Sequence, residues 1–97
     1  MIFGKKIKEL REEQGMVQRQ LAAALEIDTP MFSKIERGAR PAKRSQVTIL
    51  ANMLHTDEEE LLTIWLADKM LGASNDESND LKLKALGVIQ ATIESQQ

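Results

Sequence analysis

QRQLAAALEIDTPMFSKIERGARPAKR, residues 18–44, decides the fold. Its first half reads as a short alanine-rich helix with Leu21 and Leu25 on one side. The pattern breaks at Asp28-Thr29-Pro30 and restarts as a helix with Phe32 and Ile35 inward and Lys34 and Arg37 outward. Asp28 or Thr29 is the N-cap, and Pro30 in the first turn loses no hydrogen bond. Gly38 ends this helix, and Arg40, Lys43 and Arg44 follow, so that five cations fall within eleven residues of a chain whose net charge is −2. Two short helices joined by a tight turn, the second with exposed cations, form a helix-turn-helix. Ala22 supplies the small residue where the helices cross, and Leu21, Leu25, Ile27, Phe32 and Ile35 supply a shared apolar side. The second helix of such a unit fits the DNA major groove, about 12 Å wide. The competing reading of the five cations is a merely solvated surface.

Outward from this stretch the chain reads as all-α, since period-two alternation is missing and both prolines lie near helix boundaries. The first helix spans about 3–14, with Phe3, Ile7 and Leu10 inward and Gly15 as its terminating glycine. The helix-turn-helix covers about 17–37. A fourth helix, about 44–54, buries Val47, Leu50, Ala51 and Leu54. A fifth opens with Thr56-x-x-Glu59, which has the spacing of a capping box, and runs to about Leu71. GASNDESND, 72–80, has linker composition, and a last helix over about 80–95 carries Leu81, Ala85, Ile89 and Ile93 at i+4 spacing.

Charge divides the chain. Residues 1–56 hold ten Lys/Arg against six Asp/Glu, a balance of +4, whereas residues 57–97 hold three against nine, a balance of −6. A basic half suits a polyanion such as nucleic acid, and an acidic half belongs away from it. Cysteine is absent, so disulfides and thiolate metal sites are excluded. Met1-Ile2-Phe3 is too short for the apolar region of a signal peptide, and no apolar run approaches transmembrane length; a cytoplasmic protein is the expectation.

Leu10-Arg11-Glu12, Gly15-Met16, Gln18, Leu21-Ala22, Ile27 and Ser33-x-Ile35-Glu36-x-Gly38 together resemble the lambda-repressor-like (Cro/CI/Xre) DNA-binding domains of bacteria, over roughly residues 3–62. The resemblance implies a five-helix domain, here within residues 1–71, that meets double-stranded DNA with its second and third helices, usually as a homodimer on a near-palindromic operator. It implies a backbone contact for Gln18 and places Thr29, Pro30 and Lys34, with Met31 close by, toward base edges. Arg37, Arg40, Lys43 and Arg44 fall at its phosphate-contacting positions, which set register rather than sequence. Arg11 and Glu36 match a pair that the family buries as a structural salt bridge. Two positions depart from the family pattern: Val17 stands where a capping Ser or Thr is usual, and Glu26 where Gly is usual. A less firmly started second helix and a strained left-handed residue are expected there.

The remaining candidates are weaker. His55, alone and at a helix end, completes no metal site. Asp76-x-Ser78-x-Asp80 imitates the start of a calcium loop but has Leu81 where that loop needs Gly and Gly87 where it needs Glu. No catalytic, cofactor or small-molecule pattern is present, so the chain reads as a non-enzyme. Apolar residues at 61–71 point nearly all round their helix, which calls for cover on two sides. Residues 72–97, linker and last helix, are therefore read as a dimerisation segment, with Trp65, Leu66, Met70, Leu81, Ile89 and Ile93 between chains; the competing reading is a monomer covered by its own last helix. The functional expectation is a sequence-specific transcriptional regulator, most simply a dimeric repressor, with control of a restriction–modification locus as one such role. The alternative is an antitoxin-type interaction module whose DNA binding is autoregulatory.

Overall fold

In the computed structural model, which describes residues 2–97, six helices follow one another: α1 (Ile2–Glu13), α2 (Gln18–Ala24), α3 (Thr29–Glu36), α4 (Arg44–Met53), α5 (Glu58–Ala73) and α6 (Asn79–Ser95). No strand occurs among the described residues. α2 packs on α3 and α4, while α1 bridges α3 and α5, and α5 also lies along α4. The core they enclose is formed by Phe3, Ile7, Leu21, Ala22, Leu25, Phe32, Ile35, Ala42, Val47, Leu50, Ala51, Leu54 and Leu61.

The first four helices end the same way. At each, the residue after the C-cap takes a positive φ: Gly15 (66°), Glu26 (57°), Gly38 (76°) and His55 (52°). The next N–H reaches back to the carbonyl five residues earlier: Met16 to Arg11, Ile27 to Ala22, Ala39 to Lys34, Thr56 to Ala51. This is the Schellman closure, which satisfies otherwise orphaned helix carbonyls. Glycine enters it freely, whereas Glu26 and His55 each bear about 1–2 kcal/mol of strain. The strain at His55 has no counterpart in the sequence reading, where it is only a helix-end residue.

Helix starts differ from expectation at two points. Thr56 does not open α5, because its N–H closes α4; Asp57 is the cap, its Oδ2 accepting from the Glu60 N–H at 2.9 Å. The linker is also shorter than 72–80. α5 continues through Gly72 to Ala73, and the Ser78 hydroxyl accepts from the Leu81 N–H to cap α6 one residue early. At α2, Val17 offers no side-chain cap, but its own N–H donates to the Gln20 side-chain oxygen at 2.8 Å, which retains half of a capping box.

Two contacts that tie α1 to the domain were invisible in the sequence. Asp68, buried on α5, accepts from the Ile2 N–H (2.9 Å) and the Phe3 N–H (2.7 Å), and so caps α1 from another helix. Gly4 allows α1 to lie directly on the end of α3: a Cβ there would sit 2.6 Å from the Ile35 carbonyl oxygen and nearer still to that of Glu36.

α6 is unlike the rest, because none of its residues is buried. Leu81, Ile89 and Ile93 are exposed, as are Leu66 and Met70 on α5. α5 and α6 together form an apolar groove of about 350 Å³ lined by Met70, Leu71, Leu83, Leu86 and Ile89. Trp65 lies outside this exposed set. It packs half-buried against the core of its own domain, and its indole N–H donates to the Ala42 carbonyl at 2.7 Å.

Candidate nucleic-acid interface

The helix-turn-helix is held from behind by a buried charge pair. Glu36 closes α3 and receives two hydrogen bonds from Arg11 of α1, from Nε at 2.7 Å and from Nη2 at 3.1 Å. The third guanidinium nitrogen, Nη1, donates to the Met16 carbonyl at 3.0 Å. Only 2% of the Glu36 side chain and 12% of that of Arg11 are exposed. The hydrogen bond to Glu36 raises the Arg11 pKa above its ordinary value, against the opposing effect of burial. A pair buried this deeply is tolerable only when its remaining hydrogen-bonding capacity is met. Here it is met, and among the described residues no buried side-chain N or O lacks a partner.

Gln18 belongs to this assembly. Its amide donates to Glu36 Oε1 at 2.9 Å, so the side chain expected to face the DNA backbone is engaged inward by at least one N–H. One carboxylate thereby joins α1, the start of α2 and the end of α3, and fixes the angle at which α3 is presented.

On α3, Asp28 and not Thr29 is the cap, its Oδ1 accepting from the Met31 N–H at 2.7 Å. The Thr29 hydroxyl is therefore spared that role, and it lies half-exposed at the first turn beside exposed Pro30 and half-exposed Met31. Pro30, Lys34 and Arg37 follow at i, i+4 and i+7 on the side opposite buried Phe32 and Ile35, and all three are exposed.

The loop after α3 is tied back to the domain by hydrogen bonds and a buried residue. The Ala39 and Arg40 N–H groups both donate to the Lys34 carbonyl, and Ala42 is buried beneath Trp65. Arg40, Lys43 and Arg44 remain exposed on it, with Lys43 and Arg44 at the start of α4. There the helix N-terminus adds its own partial positive charge. Glu36, the one acid within residues 34–44, is neutralised by Arg11, so the segment's cations act without an opposing carboxylate. Exposed cations on one face of a helix and on the loop after it are a polyanion-binding arrangement. The sequence reading did not find Ala42 and Trp65 as the residues that position this loop, because they are 23 residues apart and of ordinary core type.

No helix among the described residues is long and apolar enough to cross a membrane, and no group of three or more potential ligands that could hold a metal ion occurs among them. Residues 2–63 match the model of a protein family described as a helix-turn-helix domain. Neither the curated proteins nor the solved structures contain a significant match to the chain.

Proposed function

The chain belongs to the helix-turn-helix domain family, and from that premise we propose that it is a sequence-specific transcriptional regulator, a repressor of the Cro/CI/Xre type acting as a homodimer on a near-palindromic operator. The observation that carries the reading is the exposed row Pro30, Lys34 and Arg37 on a helix braced from behind by the Arg11–Glu36 pair. Lys34 donates to guanine, Thr29, Pro30 and Met31 lie against base edges, and Arg37, Arg40, Lys43 and Arg44 neutralise phosphates. Gln18 acts chiefly through Glu36. The work is non-catalytic and cytoplasmic and needs no cofactor.

The second copy is the occupant we assign to the exposed apolar residues Leu66, Met70, Leu81, Ile89 and Ile93. Surface patches of this kind mark interaction sites. The acidic residues of the C-terminal half concentrate at Asp57–Glu60 and at Asp76, Glu77 and Asp80, outside the α5–α6 groove, whose only charged lining residue is Lys82. A nearly neutral apolar groove suits another copy of itself, and a basic toxin finds no matching field there. Joining two copies through α5 and α6 would set two recognition helices about 34 Å apart, one DNA turn.

Selection of bound DNA from a random pool tests the reading. The expected product is a two-fold-symmetric site, and Lys34→Ala should relax one symmetric pair of positions at a cost of about 1–3 kcal/mol per contact. An unenriched pool would refute sequence-specific binding.

A further inference from the structure

A second cavity, of about 270 Å³, lies on the domain itself, under the loop that carries Arg40 and against α1 and α5. Phe3, Ile35, Ala42 and Trp65 contribute apolar wall. Arg40 and Lys69 also line it, and the Lys69 ammonium sits 4.3 Å from the centre of the Trp65 ring. Among the described residues neither cation has an ion-pair partner. The one carboxylate in the lining, Asp68, is held by the Ile2 and Phe3 amides on its two oxygens and offsets one of the two cations, which leaves the lining with one net positive charge. The cavity thus joins an aromatic apolar wall to an edge of net positive charge, and its volume is at the small end for ligand sites.

We infer that this cavity binds a small aromatic carboxylate, its ring against the Trp65 wall and its carboxylate held by Arg40 and Lys69. The apolar wall selects against inorganic anions, and the cations select against neutral aromatics, whose binding would leave the net positive charge unmatched. Arg40 is also one of the phosphate contacts proposed above. Resting on that reading, the ligand competes with DNA for one cation per chain and weakens DNA binding.

Trp65 is the chain's one tryptophan, so its fluorescence reports on the site directly. Phenylacetate, phenylacetamide and sulfate, titrated at constant ionic strength into the full-length protein, should give a saturable change with phenylacetate alone. Lys69→Gln, which keeps most of the aliphatic stem, should weaken it by about tenfold. Gly72 lines the cavity where an added Cβ meets nothing within 4 Å, so Gly72→Phe should abolish the response while leaving the melting temperature unchanged. Absence of a saturable response to phenylacetate, an equal response to the amide or to sulfate, or an undiminished response in a folded Gly72→Phe protein would each overturn the site. With operator DNA present, phenylacetate should lower affinity several-fold in the wild type and not in Gly72→Phe. A fluorescence response with unchanged DNA affinity overturns the competition for Arg40, whereas failure to bind any DNA overturns the regulatory reading and leaves the cavity assignment standing.

Discussion

Residues 2–63 and residues 66–95 are both helical and both rich in leucine and isoleucine, yet they use those residues in opposite ways. In the first region Ile7, Leu21, Phe32, Val47, Leu50, Leu54 and Leu61 are all but inaccessible; in the second, Leu66, Met70, Leu71, Leu81, Leu83, Leu86, Val88, Ile89 and Ile93 are exposed. Hydrophobicity alone therefore does not determine burial here. Burial follows from elements that close on one another, as α1 to α4 and the first half of α5 do. α6 buries none of its residues, so its apolar side chains remain available to a partner.

The comparison breaks hardest at Glu36. Glu36→Ala would leave Arg11 as a buried charge without its carboxylate and Gln18 without its acceptor, at about 3–5 kcal/mol. Chemical denaturation should show that loss, and loss of DNA binding at full stability would refute a structural role for the pair. Gly4→Ala should come next. Its methyl group would press on backbone carbonyls of α3 that cannot rotate away, and α1 must shift at a cost of about 1–3 kcal/mol; an unchanged melting temperature would show that α1 does not seat on α3 so closely.

Smaller and of opposite sign, Glu26→Gly should stabilise the domain by up to about 1 kcal/mol, since it relieves the left-handed strain but loosens the unfolded chain. A destabilised variant would mean that Glu26 makes a contact worth more than its strain. Least of all should Leu86→Glu in the α5–α6 groove affect the melting of the helix-turn-helix domain, by no more than about 0.5 kcal/mol. Sedimentation should nonetheless show dissociation of the proposed dimer, and affinity for a two-half-site operator should fall much further than affinity for one half-site, because effective concentration is lost with that dimer. An intact dimer would move the interface elsewhere.

Local physics made much of this legible in the sequence. The helices of residues 18–44 follow from Asp28, Pro30 and Gly38 together with i, i+3 and i+4 apolar spacing, all effects that act within a few residues. The same proximity explains why Lys34, Arg37, Arg40, Lys43 and Arg44 were identifiable as a cationic segment, whereas the left-handed position of Glu26 was suggested only by the family resemblance, in which Gly is usual there. The errors were also local. Thr56 and Asp57 both have capping chemistry, and the choice between them was made by the end of α4, which claims the Thr56 N–H.

What only the tertiary structure decided concerns groups far apart in the chain. Asp68 caps a helix that starts 66 residues earlier, and Gly4 is required by the carbonyls of α3. Gln18 turns toward Glu36 because Oε1 of that buried carboxylate, already bonded to Arg11, can accept a second hydrogen bond. Trp65 faces its own domain because the Ala42 carbonyl is there to receive its N–H, and the cavity between Trp65, Arg40 and Lys69 exists only once α5 has crossed α1. Sequence spacing encodes which face of a helix is apolar. It does not encode which neighbour arrives to cover that face, since that depends on the summed geometry of every turn between them.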